Sequence, residues 1–263
     1  MAATIPEDRR SGGATAAPAA DPALAATTIV FNHIPKTGGT SLLKFFQAIF
    51  GPDRCFRHRA RDGRTGRISP GIESLPACEL AGYRFIAGHF NYGNHRRIAG
   101  PVKYLCVLRD PLERLVSDYH YNRSAGRADL KAIANAMSFE DYVRAKIGNP
   151  KSNMARSAQI EFVAGPGATP AGARRTVREE YLACCTTDQL DDLQRMLAQL
   201  YGRADLAPQW VNRAAARPRV PDLPPALLDD LYGRFETDLA FLAWVRAQFA
   251  ARCRDLGGPS AEA

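Results

Sequence analysis

Apolar residues along this chain follow two rhythms. Three short, nearly continuous runs, TTIVFNHI (Thr27–Ile34), YRFIAGHF (Tyr83–Phe90) and VKYLCVLRD (Val102–Asp110), predict strands buried on both faces. Elsewhere the apolar positions recur every three or four residues, as on one face of a helix. SLLKFFQAIF follows the first strand, with Thr40 or Ser41 as its expected N-cap and Gly51-Pro52 as its stop. PLERLVSDYHYNR follows the third strand and places Pro111 at a helix start. SFEDYVRAKI (Ser138–Ile147) opens on a capping pattern, Ser138 with Asp141 three residues on. Residues 171–182 and 189–201 predict further helices around a short strand-like LACCTT. The proline-rich RPRVPDLPPA predicts a loop. A long amphipathic helix follows it from PALLDDLY to AARCRD, with Gly233 as the point where it would break.

Strands alternating with helices imply an α/β fold, a parallel sheet with helices on both faces. In such sheets ligands bind beyond the carboxyl ends of the strands. Three predicted strand ends carry polar chemistry, His33–Thr40, Gly88-His89 and Arg109-Asp110, and one shared crevice is the economical arrangement. Residues 27–255 are read as one domain. Residues 1–26, rich in Ala, Gly and Pro, are expected to form a disordered tail, and 256–263 a flexible C-terminal one.

Composition narrows the partners. A net charge of +8 favours anionic ligands. RCFRHRARDGRTGR, residues 54–67, concentrates six arginines, either as a solvated loop or as the mouth of an anion site. Arg57, Arg59, Arg61, Arg96 and Arg97 suggest an anionic or sugar-containing acceptor. Basicity alone, without aromatic interleaving or a recognition motif, does not indicate nucleic acid. No apolar run is long enough to span a bilayer, and the N-terminus lacks the apolar region of a secretory signal, so a cytoplasmic protein is expected. The six cysteines show no C-x-x-C pair and no metal-spaced histidines, so neither a disulfide nor a metal site is assigned.

The chemistry concentrates in HIPKTGGTSL, at a strand–loop–helix junction. Glycines let the backbone approach an anion closely, and the first N–H groups of a helix point at whatever occupies the loop. An ordinary nucleoside-triphosphate loop carries its lysine after the glycines. Here Lys36 precedes Gly38 and Gly39, and Thr40-Ser41 follow, with no obvious magnesium partner. In LRDPLERLVSDY, Arg109 ends a buried strand, and residues 110, 113, 114 and 117 are spaced to share one helix face. Taken alone, Arg109 reads as an ordinary partner of Asp110 or Glu113; beside a second anion loop it reads as a phosphate ligand.

FNHIPKTGGTSL followed by VLRDPLERLVSDY resembles the paired cofactor signatures of carbohydrate sulfotransferases, most closely the group of uronyl and heparan sulfate 2-O-sulfotransferases. The resemblance is dense over residues 28–42 and 102–123. It implies a P-loop-like three-layer fold and the co-substrate 3′-phosphoadenosine 5′-phosphosulfate, with no metal. It implies that Lys36, Thr37, Gly38, Gly39, Thr40 and Ser41 hold the 5′-phosphosulfate, and that Arg109 and Ser117 hold the 3′-phosphate. Gly88-His89 resembles the Gly-His element that supplies the catalytic base, whereas His33 reads as support for the loop. QWVNRAAARPRV resembles a late segment that folds over the cofactor, making Arg213 and Arg217 further candidate contacts. Asn153 and Gln159 receive no role. The family's Golgi members are membrane-anchored, a departure that fits a bacterial cytoplasmic enzyme. A small-molecule kinase of similar fold is the alternative enzyme; a catalytically inactive nucleotide- or polysaccharide-binding protein is the alternative outside catalysis.

Overall fold

The computed structural model describes residues 21–59, 68–90, 92–124, 126–149, 152, 154, 157–211 and 223–256. Among them a five-stranded sheet runs β2-β3-β1-β4-β5, with every neighbouring pair parallel. The strands are β1 (Thr28–Asn32), β2 (Cys55–Arg57), β3 (Phe85–Gly88), β4 (Val102–Leu108) and β5 (Tyr181–Thr186). Every residue of β1, β3 and β5 is buried, as expected of parallel strands covered on both faces. The central strand β1 takes β3 on one side and β4 on the other. The chain therefore turns in opposite directions on either side of it, and such a switch point leaves a crevice beyond the carboxyl ends.

Helices supply the layers. The helix α1 (Pro22–Ala26) leads into β1, and α2 (Gly39–Phe50) follows it. A short α3 (Ala77–Leu80) precedes β3, and α4 (Pro111–Ser124) follows β4. Then come α5 (Ala128–Asn135), α6 (Phe139–Gly148), α7 (Gln159–Ala164) and α8 (Pro170–Glu180) before β5, with α9 (Leu190–Leu200) and α10 (Pro225–Asp255) after it. One apolar cluster joins Ile29, Phe31, Phe85 and Val107 of the sheet to Leu42, Phe45 and Phe46 of α2 and to Leu193 and Leu197 of α9. A second joins Val30, Ile86, Tyr104 and Cys106 to α7, α8 and the middle of α10. Alternate strand residues thus serve opposite layers, as the two-residue period of a strand requires. A third cluster, built on Leu115, Tyr119, Tyr142 and Phe235, packs α4, α5 and α6 against the start of α10. The helix α10 contributes to all three. No described helix is long and apolar enough to cross a membrane.

The helices α3, α5 and α7 were not among the predicted elements, and the structure departs from the sequence-based expectations in further places. Leu24 of α1 is buried, and the Asp21 N–H donates to the Leu200 carbonyl, so the expected tail to Ala26 is ordered over its last residues. The strand β2 was not expected: it has three residues, of which only Phe56 is buried, too few to show a period. The helix α2 is capped by Gly38 in a left-handed conformation, not by the Thr40 or Ser41 side chain. Finally, α10 runs through Gly233 without a break. Its many apolar contacts outweigh the helix cost of one glycine.

Gly233 is exposed, and a Cβ built there meets nothing within 4 Å. Gly233→Ala is therefore expected to stabilise the protein by roughly 0.5–1 kcal/mol, raising the midpoint of thermal unfolding by a few degrees. An unchanged or lower midpoint in calorimetry would contradict this.

Candidate functional site

The loop after β1 is shaped by what its residues must avoid. The His33 N–H donates to the Gly88 carbonyl, extending the β1–β3 pairing by one step. Thr37 is fully buried, and its hydroxyl donates to the Ile34 carbonyl at 2.8 Å, closing the turn. Thr37 thus supports the loop from within, and its side chain does not line the crevice. Lys36 and Gly38 both have positive φ, 72° and 86°. That conformation is strained for lysine and free for glycine. Gly39 is dictated by contact: a Cβ there would lie 2.2 Å from the Nε2 of His33. The chain then enters α2, whose first backbone N–H groups have no partner within the helix. Ser41, also buried, accepts the Val211 N–H on its hydroxyl at 3.1 Å. That bond docks the start of QWVNRAAARPRV on the first turn of α2; Arg213 and Arg217 lie outside the described residues, as do Arg61 and Asn153.

His89, just past β3, is exposed at the mouth of a cleft of about 230 Å³ that His33, Thr40, Leu43, Arg57 and His58 also line. Its Nδ1 lies 2.7 Å from the His33 carbonyl oxygen. A carbonyl only accepts, so Nδ1 carries a proton, and in the neutral ring Nε2 then keeps its lone pair. The two imidazoles sit with ring centroids 4.4 Å apart, and Phe31 stacks beneath His33. Burial, reinforced by the charges of His89, Arg57 and Lys36, pushes the His33 imidazole down to about 3. His33 is therefore a neutral packing piece, as expected.

Arg109 reaches the loop from the neighbouring strand. Its Nη1 donates to the Lys36 carbonyl at 3.3 Å and its Nε to Glu113 at 3.2 Å. The backbone beneath it is gripped by Gln159, which accepts the Arg109 N–H at 3.1 Å and donates to the Arg109 carbonyl at 2.8 Å. Gln159 is held in turn by Asp238, a carboxylate only 1% exposed that also takes the N–H groups of Ala158 and Ile160. Asp110 caps α4 by accepting the N–H groups of Leu112 and Glu113. Ser117 is half-buried on α4, one turn beyond Glu113. Of the other two residues expected on that face, Arg114 is fully buried against Met154.

Lys36 lies with its Nζ 3.5 Å from the centre of the Tyr121 ring. Burial first, then the Arg109 charge, pushes its amine down to about 8, with Asp118 opposing. The remaining arginines divide. Arg57 ends β2 and faces the cleft. Arg59 pairs with the Glu73 carboxylate, and Arg97 donates to the Glu73 carbonyl at 2.9 Å. These two fasten the segment at Glu73, whereas Arg96 is exposed on the turn beside Arg97. Gln159 and Asp238 carry the positioning that sequence reasoning missed. The signal was present for Asp238: a carboxylate at the spacing of Leu231, Phe235, Phe241 and Val245, in the apolar stripe of α10.

Lys36 and Arg109 are joined at the loop that opens α2, and the His89 ring is joined to the same loop through the His33 carbonyl. Among the described residues no cluster of His, Cys, Asp or Glu could hold a metal ion. Gly38 and Gly39 give the loop its left-handed turn and its close approach to Leu190 and the His33 ring, and the helix N–H groups that follow suit a phosphate or sulfate group. A search of curated proteins finds no match to the chain. The model of the sulfotransferase family matches residues 25–209 of the 263, a span that contains the loop, His89, Arg109, Ser117 and Gln159. The chain belongs to the sulfotransferase family.

Proposed function

We propose that the protein moves the sulfuryl group of 3′-phosphoadenosine 5′-phosphosulfate to a hydroxyl of a carbohydrate or glycoconjugate acceptor. The observation that carries this reading is the Nδ1–H of His89 on the His33 carbonyl, which leaves Nε2 bare at the edge of the anion loop. When bound, the co-substrate supplies an activated sulfuryl group on a phosphate leaving group. The N–H groups opening α2 and the ammonium of Lys36 neutralise charge at the 5′ end, an electrostatic role that needs no proton transfer. Arg109 and the Ser117 hydroxyl take the 3′-phosphate. Arg109 gives up little to do so, since its pairing with the partly exposed Glu113 is weak beside a phosphate dianion. The Nε2 of His89 removes the proton of the acceptor hydroxyl, and the His33 carbonyl steadies the imidazolium that results. Arg57 and Arg59, which both line the cleft, are the arginines placed to meet an anionic acceptor.

Ligand preference tests the reading first. In thermal-shift titrations, 3′-phosphoadenosine 5′-phosphate should stabilise the protein more than ADP or magnesium-ATP; equal or reversed preference would sink it and favour a kinase. For the chemical step, His89→Asn keeps an N–H for the His33 carbonyl but has no basic nitrogen. It should cost about 10²–10⁴ in turnover with nucleotide affinity intact. Lys36→Ala should cost a comparable factor. Near-full activity of His89→Asn on a true acceptor would remove His89 from the mechanism. The depressed Lys36 amine gives a pH signature: the anion prefers the ammonium form, so affinity should be full below pH 8 and fall as pH rises through about 8. Lys36→Arg, always charged, should flatten that limb in calorimetric titrations.

A further inference from the structure

Tyr121 belongs to no packed cluster of α4. Its ring is 48% exposed, whereas Leu112, Leu115, Val116 and Tyr119 of the same helix are buried. It stands four residues beyond Ser117, hence on the same helix face. Among the described residues, the partner of its ring is the ammonium of Lys36, 3.5 Å from the centroid.

We propose that Tyr121 is a positioning residue for Lys36, its ring face serving as the dock that holds the ammonium at the α4 side of the loop in the free protein. This rests on the reading of Lys36 as the leaving-group cation. The choice of an aromatic partner has a physical reason. A carboxylate at this place would bind the lysine more tightly, but it would set a negative charge where a phosphate or sulfate has to enter. A ring attracts the cation through its quadrupole and carries no net charge. The carboxylate nearest in sequence, Asp118, is already engaged: it accepts the Tyr142 hydroxyl at 2.6 Å and pairs with Lys146 at 3.0 Å. The remaining described charges acting on Lys36 are Arg109 from the end of β4, hydrogen-bonded to the Lys36 carbonyl, and Asp118 from α4. His33, on the same loop, stays neutral. Lys36 starts from a left-handed backbone, and its flexible side chain ends on the Tyr121 ring.

The test reads Lys36 directly, without co-substrate. The pH dependence of its acylation by acetic anhydride, followed by peptide mass spectrometry, gives its titration midpoint in the wild type, Tyr121→Phe and Tyr121→Leu. Because the ring is half exposed, all three are expected to fold, and their melting curves check this. Phenylalanine keeps the ring face and should leave the midpoint near 8. Leucine keeps an apolar cover but loses the quadrupole, and should lower the midpoint by about half a pH unit to one unit. The high-pH limb of 3′-phosphoadenosine 5′-phosphate affinity should move with it. Equal midpoints in all three proteins, a rise in Tyr121→Leu, or equal falls in both variants would overturn the dock. A fall confined to Tyr121→Leu, in a protein that binds no 3′-phosphoadenosine 5′-phosphate, would leave the dock standing and remove only the co-substrate reading.

Discussion

The buried carboxylate of Asp238 fixes the geometry on which the site depends. A carboxylate taken out of water is costly unless hydrogen bonds replace its hydration. Here the N–H groups of Ala158, Gln159 and Ile160 replace it. Those same groups open α7, where a helix has no acceptors of its own. Two deficits therefore cancel, and the helix start is locked to α10. Gln159 extends the lock by pairing both of its amide groups with the backbone of Arg109, at the point where β4 has run out of strand partners. Arg109 then reaches the Lys36 carbonyl. A residue in the C-terminal helix thus sets the position of the arginine that faces the loop after β1.

That loop solves a second problem, which is to present bare backbone next to packed aromatic rings. His33 must lie flat between Phe31 and His89 for its carbonyl to orient the His89 ring. The space it needs is the space a side chain at residue 39 would fill. The glycine therefore serves two ends, exposing amides to an anion on one side and admitting an imidazole on the other. The order of the letters follows. With Gly38 and Gly39 occupied by the cap and by the His33 contact, the cation has to come from upstream, and Lys36 carries it at the cost of a left-handed backbone.

Much of this was legible in the sequence, for identifiable reasons. The long parallel strands announced themselves because burial on both faces leaves no polar interruption, and β1, β3 and β4 fall within the predicted runs. Ser138 does cap its helix through the Asp141 N–H. The strand ends alone placed Lys36, His89 and Arg109 around the loop after β1, although the cleft beside His89 is lined by neither Lys36 nor Arg109. What stayed hidden was set by contacts distant in sequence. Thr37 reads as a ligand, but its hydroxyl turns inward to Ile34. Arg59 and Arg97 read as contacts for an anionic acceptor, and both are tied to Glu73. Gln159 could receive no role before its partner at residue 109 was known. A local cap is written in neighbouring letters, whereas a tertiary clamp is not.

The electrostatics of the free protein carry the last step. Burial lowers the Lys36 amine, and Arg109, close by, adds to this against the opposing pull of Asp118. The carboxylates within reach are committed elsewhere: Glu113 lies to one side of Arg109, Asp118 is shared by Tyr142 and Lys146, and Asp110 caps α4. Burial of a cation costs free energy even with Asp118 acting in its favour, and folding tolerates that cost only where packing imposes it. An anion entering between the α2 N-terminus and Arg109 would relieve both the repulsion and the lost hydration. The depressed Lys36 amine thus reflects burial beside Arg109, an environment that an entering anion would favour, and neither His33 nor the Tyr121 ring adds a charge to it.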